Sequence, residues 1–359
     1  MRAGATSARP GWEVRDTLPE RVAPTCLFDS EGWLGRWAAT PIETFGTVEY
    51  VVERADGDAP RQALPLYTVK FSPFWQGYEL QTEVAPLCPG PIVFAGSVYS
   101  MYTKRGHVPE ALVAGAFQEG MSRIARQEAS LLVVPNLTEE GVADWVRTAG
   151  EPTGRVLLDL TYHCYLAGDF EEYVRRLDTN VRRDVGRRLR RAAERGLRLR
   201  LLPPEEAEPL LDRALQLTVG TSDHHSWPAL YDLPTLRLLL SVPGSVTAVA
   251  EVDGKILGVF FGFRHGDDEI VFLTGGVEYD SLSTYSTYVA LMYRCIEWAH
   301  ENGIRRIEWG RDNYRFKERH GLTAVELWGL VYGPPGDAGT GRKVAHMHDF
   351  LSDYMESSR

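Results

Sequence analysis

Residues 246–263 read VTAVAEVDGKILGVFFGF. Two runs of β-branched and aromatic residues flank Asp253-Gly254, a dipeptide that tolerates the left-handed backbone of a tight hairpin turn. The pattern predicts two antiparallel strands. A second turn signal, RHGDDE (264–269), leads into IVFLTGGV (270–277), a third strand. Over residues 283–302, Val289, Met292, Ile296 and Ala299 recur at three- and four-residue intervals, which predicts a helix closed by Asn302-Gly303. IRRIEWG (304–310) and VELWGLVYG (325–333) predict two more strands. An antiparallel meander, a crossover helix and further strands make a layered α/β or α+β domain.

Upstream lies YVRRLDTNVRRDVGRRLRRAAERGLRLRLL (173–202), where Val181, Val185, Leu189 and Ala193 form a narrow apolar stripe flanked by arginines. Gly196 closes this helix, and LRLRLL alternates like a strand. The first half repeats the plan in outline. TVEYVVERADGDAPRQALPLYTVKF (47–71) reads as strand, Asp-Gly turn and strand, and EALVAGAFQEGMSRIARQEASLLVVPNL (110–137) as a helix entering a strand. Two related domains joined near residues 153–159 are therefore expected: residues 1–155, residues 156–335, and a tail over 336–359. Between hairpin and helix, the first half carries FSPFWQGYELQTEVAPLCPGPIVFAGSVYSMYTKRG (71–106), an irregular segment of the kind that lines binding sites. The tail predicts a flexible linker and a short amphipathic helix, with Val344, Met347, Leu351 and Tyr354 packed on the body.

The chain of 359 residues exceeds the roughly 250–300 at which single cores stop growing. No run approaches the ~18 apolar residues of a membrane span, and the N-terminus lacks an apolar signal core, so a cytoplasmic location is expected. Cys26, Cys88, Cys164 and Cys295 show no metal-binding spacing, so neither a metal nor a bound prosthetic group is expected. Formal net charge is −10, which argues against a protein that coats nucleic acid. Eleven arginines nevertheless crowd residues 175–200, a local basic face that suits either an anionic ligand or plain solvation.

Two stretches hold candidate chemistry. In FLTGGVEYDSLSTYSTYVAL (272–291), Gly275-Gly276 ends a strand and a helix begins among Ser281, Ser283, Thr284, Ser286 and Thr287. Free N–H groups there suit a phosphate or carboxylate, although hydroxyl residues also cap ordinary helices. No Walker lysine or GxGxxG supports nucleotide hydrolysis or dinucleotide binding. In GRDNYRFKERHG (310–321), bases and aromatics are denser than a solvated loop needs. A third segment, TVGTSDHHSWPALYD (218–232), offers Asp223, His224 and His225 for proton exchange or substrate contact. His346 and His348 receive no role.

The order of these elements resembles the GNAT acyltransferase superfamily, and within it the branch that groups CelD/BcsL-like acetyltransferases with Fem-type aminoacyl transferases. NVRRDVGRRLRRAAERG (180–196), TGGVEYDSLSTYSTYVALMYRCIEWAHENGI (274–304) and IRRIEWGRDNYRFKERHG (304–321) carry the likeness, over residues 162–333. The resemblance implies tandem GNAT-like domains, each a mixed, mostly antiparallel sheet flanked by helices, and an enzyme forming an amide between an acceptor amine and an activated acyl or aminoacyl donor. It places Lys317 beside the reacting carbonyl, where a fixed charge stabilises an oxyanion. Asp312 would orient or deprotonate the amine. Phe316, Tyr314, Trp309, Arg311, Arg315, Tyr285, Tyr99 and Tyr102, with Asp223, His224 and His225, would contact substrates. Gly275, Gly276, Ser283, Thr284, Ser286, Thr287, Arg183 and Arg187 would hold the donor. The family's coenzyme A loop, Arg/Gln-x-x-Gly-x-Gly/Ala, is replaced here by GVEYDSLSTYST (276–287). The reading therefore leans to aminoacyl-tRNA over acyl-coenzyme A or an acyl carrier protein, with a small-molecule amine as acceptor and no membrane partner. An acyl-coenzyme A N-acetyltransferase and a non-catalytic GNAT-like binding module are the alternatives.

Overall fold

Asp253 and Gly254 take positive φ, +48° and +79°, and the runs on either side pair antiparallel from Val252↔Lys255 back to Ser245↔Phe263. This hairpin belongs to a computed structural model that describes residues 11–54, 59, 61–84 and 86–359. The expected Asp56-Gly57 turn lies outside the described residues. In chain order the first half holds β1 (Trp12–Arg15), α1 (Glu31–Trp37), β2 (Thr44–Glu53), β3 (Ala63–Phe71), α2 (Pro73–Gln81), β4 (Ile92–Ala95), α3 (Glu110–Ala125), β5 (Leu131–Leu137) and α4 (Glu139–Ala149). The second half opens with β6 (Gly154–Tyr165), α5 (Phe170–Arg176), α6 (Thr179–Glu194), β7 (Arg198–Leu202), α7 (Pro204–Ala207), α8 (Leu211–His224) and α9 (Leu233–Leu240). It continues with β8 (Ser245–Val252), β9 (Lys255–His265), β10 (Glu269–Val277), α10 (Leu282–Tyr285), α11 (Thr287–Glu301), β11 (Arg306–Gly310), α12 (Tyr314–Arg319), β12 (Thr323–Tyr332) and α13 (Ala338–Ser358).

All twelve strands join one sheet, ordered β1-β2-β3-β4-β5-β12-β6-β11-β10-β9-β8-β7. The fold is thus a mixed α/β architecture with a large, mostly antiparallel sheet flanked by helices. Two neighbouring pairs are parallel, β4 with β5 and β10 with β11, and each is bridged by a crossover helix, α3 or α11. The halves therefore share one outline: hairpin, third strand, helix, parallel strand. They meet in an unexpected way. β12, the last strand among the described residues, lies between β5 and β6, with Leu330↔Val134 on one side and Val325↔Thr161 on the other. Residue 155 falls at the start of β6, a strand flanked by β11 and β12.

Three local expectations change. The basic stretch after β11 is not a loop but forms the short helix α12. The predicted helix over 283–302 is broken, because Ser286 turns left-handed (φ +53°) and separates α10 from α11. The tail is not a linker with a short helix but the 21-residue α13, capped by Asp337 on the Thr340 N–H at 3.0 Å. α13 lies on β6 and buries Val344, Met347, Leu351 and Met355, while Tyr354 is 45% exposed. Gly154 permits the approach, since a Cβ there would meet Val344 at 2.6 Å. Among the described residues no helix is long and apolar enough to cross a membrane.

Removal of α13 tests this packing. Four buried apolar side chains at about 1.5–3 kcal/mol each approach the whole margin of a typical domain, roughly 5–15 kcal/mol. A chain ending at residue 336 is expected to lose cooperative thermal unfolding, read by circular dichroism.

Candidate active site

The end of β11 turns sharply, and the residues there are those that can do so. Gly310, Asp312 and Asn313 all take positive φ (+67°, +64° and +54°). A side chain at 310 would press on Met101 at 2.9 Å, and Asp and Asn are among the side chains that enter the left-handed region most readily. Lys317, one turn into α12, holds this turn from beneath. Its Nζ donates to the carbonyls of Trp309 (2.9 Å), Gly310 (2.9 Å) and Arg311 (2.5 Å). All three ammonium protons are thereby used, and the residue is buried. Burial pulls its pKa down to about 8 against the opposing pull of Asp312 and Asp159.

Arg311, fixed by this clamp, reaches the first half. It donates to the Tyr78 hydroxyl (2.6 Å), the Ser100 carbonyl (2.8 Å) and Asn136 Oδ1 (2.7 Å). Asn136 is itself buried and left-handed (φ +55°). Its amide donates to the carbonyls of Ser97, Val98 and Ser100, which shapes the loop that receives Arg311.

Between the halves opens a cavity of about 750 Å³, within the range of small-molecule sites. The first half contributes Phe74, Tyr78 and Leu80 from α2, and Tyr99. The second contributes Trp227 and Tyr231 from the segment after α8, Thr274 and Gly275 from β10, Arg311, Asp312 and Tyr314, and Tyr354 from α13.

Asp159 of β6 is the buried acid in this wall, and sequence reasoning missed it. A bulge explains why it points inward. β12 pairs Leu327 with Asp159 and Trp328 with Leu157, skipping Leu158. Leu158 and Asp159 consequently both line the cavity, whereas adjacent residues of a regular strand face opposite ways. Asp159 Oδ1 accepts from the Tyr314 hydroxyl (2.8 Å) and the Leu160 N–H (2.7 Å). Among the described residues no donor engages Oδ2. Burial, and then the charge of Asp312, push its pKa up to about 7, with Arg311 and the two hydrogen bonds opposing. The available signal was one acid in the apolar run VLLDLTYHCY (156–165).

Of the residues singled out from sequence, Arg311, Asp312, Tyr314, Tyr99, His225 and Gly275 meet in the cavity. The others lie elsewhere. Phe316 stacks on His320 at 4.1 Å, Trp309 on Phe272 at 4.8 Å, and His224 on Tyr279 at 3.8 Å. The Tyr102 hydroxyl donates to buried Glu308 (3.3 Å), joining the halves away from the cavity. Asp223, Arg315 and Ser283 are exposed, and Tyr285 is half-buried outside the cavity wall. Gly276 backs onto α8, where a Cβ would meet the Leu217 backbone at 2.3 Å. Lys317 is engaged by its three carbonyl partners and does not line the cavity.

A second region adjoins the first. β10 and β11 pair only from Glu269↔Arg306 to Val271↔Glu308, so beyond Phe272 the β11-facing edge of β10 has no strand partner. Past this split lies the start of α11, where Ser286 and Thr287 are buried and Thr287 Oγ1 has no hydrogen-bond partner. α6 packs on α10 and α11, and Arg195, just beyond its end, donates to the Thr284 carbonyl. Arg183 and Arg187 are exposed on α6, the latter paired with Asp184. Among the described residues no group of three or more His, Cys, Asp or Glu is placed to hold a metal.

The clamp makes a prediction. Lys317→Ala leaves three carbonyls without their charged donor, a loss on the order of 1.5–3 kcal/mol. The melting temperature is expected to fall together with any transferase activity. A variant that melts like the parent yet has lost transfer would assign Lys317 to the reacting carbonyl instead.

Residues 179–318 match the model of the acetyltransferase (GNAT) domain. No curated protein matches the sequence. The fold is similar to the crystal structure of FemX, at 11% identity over 85% of this chain and 92% of that one, with a TM-score of 0.56. It is also similar to the C-terminal domain of a protein described as a lysylphosphatidylglycerol synthetase from Agrobacterium fabrum (13% identity, 80% and 85% covered, TM-score 0.52). L-PGS from Bacillus licheniformis is a third such structure (11% identity, 79% and 86% covered, TM-score 0.51). At these identities the likeness is one of fold. Residues 179–318 are thus similar to the acetyltransferase (GNAT) domain, and the chain shares its fold with these solved structures.

Proposed function

We propose that this chain is an N-acyltransferase that joins a small-molecule amine to an activated aminoacyl group carried by tRNA in the cytoplasm. The observation that carries the reading is Asp159: a buried carboxylate with one free oxygen, facing a partly open cavity beside a split between parallel strands. An amine bound in the cavity meets Oδ2 of Asp159, with Asp312 close enough to raise the pKa of its partner. The donor's acyl carbon enters through the split. The bound amine gives one proton to Asp159, its freed lone pair forms the new C–N bond as the ester C–O bond breaks, and the second nitrogen proton goes to the departing ester oxygen, which leaves as a hydroxyl. Backbone N–H groups on the unpaired edge of β10 suit the developing oxyanion, because fixed dipoles in a dry site need no reorganisation. Lys317 supports the same step by fixing the turn that carries Arg311 and Asp312.

The donor's anionic part fits the start of α11 and the arginines of α6. Free helical N–H groups attract anions, and Arg183 and Arg187 suit phosphates of a polynucleotide end. The absence of a glycine-rich loop before α11, where Ser286 and Thr287 stand, favours charged tRNA over acyl-coenzyme A. The test is a donor comparison on one pool of amines, with amide products read by mass spectrometry. Charged tRNA, acyl-coenzyme A and an acyl carrier protein are offered in parallel. Product from charged tRNA alone is expected. Product from acyl-coenzyme A, with saturable coenzyme A binding at physiological salt, would replace the tRNA donor. No product from any donor would leave a binding module.

Asp159 gives a second test, whose sign follows from its raised pKa. Burial favours the protonated form, so this stabilising preference is complete below the ordinary value of 3.8 and is lost as pH rises through about 7. Asp159→Asn keeps both hydrogen bonds and removes the charge. Its melting temperature is expected to match the parent at acid pH and to exceed it above neutrality. Transfer by the parent should rise through about pH 7. The variant should lose that rise and about a hundredfold or more in rate, the usual worth of a positioned base.

A further inference from the structure

The cavity walls divide by chemistry, and this division points to a class of acceptor. One wall is acidic. Asp159 offers its free oxygen, and Asp312 makes no hydrogen bond or ion pair among the described residues. Two cations act on these acids through space, but Lys317 is spent on three backbone carbonyls, and Arg311 is no open ligand either. Its guanidinium is engaged by the Tyr78 hydroxyl, the Ser100 carbonyl and Asn136, and lies 5.1 Å from the Phe74 ring centre.

The adjoining wall is aromatic, and it is built from both halves of the chain. Trp227 crosses from the segment after α8 to α2, where Gly77 leaves room for it. A Cβ at 77 would meet the indole at 2.6 Å. The indole meets Phe74 and Tyr78 edge-on, with ring centres 5.7 and 6.0 Å apart. Tyr99 and Tyr231 continue the wall, and their hydroxyls bond each other at 2.6 Å, so neither is reserved for a polar ligand. Leu80 and Tyr354 line the cavity while remaining 56% and 45% exposed, which makes the mouth apolar as well.

We propose that the acceptor is a cationic amine borne on a flat, bulky apolar body and lacking a carboxylate beside the nitrogen, with Trp227 reading the body and Asp159 and Asp312 the ammonium. Protonated amines are attracted both to the paired acids and to ring faces. A neighbouring carboxylate would be driven against two like charges. A small hydrophilic amine would leave the aromatic wall uncovered, while an alcohol of the same shape would leave the acids unpaired. This inference rests on the acyltransferase reading for the word acceptor, but its evidence is the cavity alone.

The experiment is calorimetric titration of the full chain at pH 8 without any donor, using 2-phenylethylamine, 2-phenylethanol and phenylalanine. The amine is expected to bind, and the alcohol and the amino acid to bind at least about tenfold more weakly. Asp312→Asn should weaken the amine without affecting the alcohol. Trp227→Ala should weaken the amine, and Trp227→Phe should restore part of the loss. Equal binding of all three probes, or no saturable binding of the amine, overturns the proposal, as does tighter binding of phenylalanine. The two readings fail separately. Amide formed on a small hydrophilic amine, with no binding of 2-phenylethylamine, sinks this acceptor class and keeps the transferase. Binding of the amine with no transfer from any donor does the reverse.

Discussion

Arg311 leaves the end of β11 in the second half and gives its guanidinium to groups of the first: the Tyr78 hydroxyl, the Ser100 carbonyl and the Asn136 side chain. Each partner is itself held. Asn136 is braced by three carbonyls of the loop it supports, and the backbone of Arg311 is gripped by Lys317. A charged, multidentate donor in a partly buried setting is far stronger than a surface ion pair, and its planar fork fixes direction as well as distance. The cavity exists because this contact sets α2 of one half opposite β6, β10 and α13 of the other. Arg105 to Glu269 (2.7 Å) and Tyr102 to Glu308 add two further struts between the halves.

The turn at Gly310 to Asn313 and the acids around it would not be chosen for stability. Three positive-φ residues within four positions, a buried ammonium and a buried carboxylate each oppose folding, and such groups collect where chemistry is done. What compensates is the apolar body of the sheet. β8, β9 and β10 bury most of their residues, and α13 packs its apolar face on β6. A large, ordinary core thus supports a small, costly region.

Much of the sheet was legible because its signals are local. Asp253-Gly254 marks its own hairpin, and the spacing of Val289, Met292, Ile296 and Ala299 marks α11 whatever surrounds it. Arg311, Asp312 and Tyr314 stood out because their composition was odd for a loop. What the chain order concealed is long-range. Asp159 looked like one acid in a strand, and only the skipped residue opposite β12 turns it into the cavity. Trp227 could not be matched to Gly77, 150 positions away. Lys317 was noticed for its charge, yet its partners are backbone carbonyls, which carry no sequence signature. The length of α13 was masked by Gly339 and Gly341, residues that read as linker until Asp337 caps them into a helix.

β12 has a consequence for how the molecule is made. Its neighbours β5 and β6 are both synthesised well over a hundred residues earlier, and they do not pair with each other. Until β12 arrives, each presents an unpaired edge of the kind that recruits foreign strands. During translation the first half can collapse on its own meander, but the central joint of the sheet must wait until β12 has left the ribosome. Such late, distant pairing is slow and leaves aggregation-prone intermediates. Recombinant yield should therefore depend on temperature and chaperone supply more steeply than the finished fold's packing would suggest.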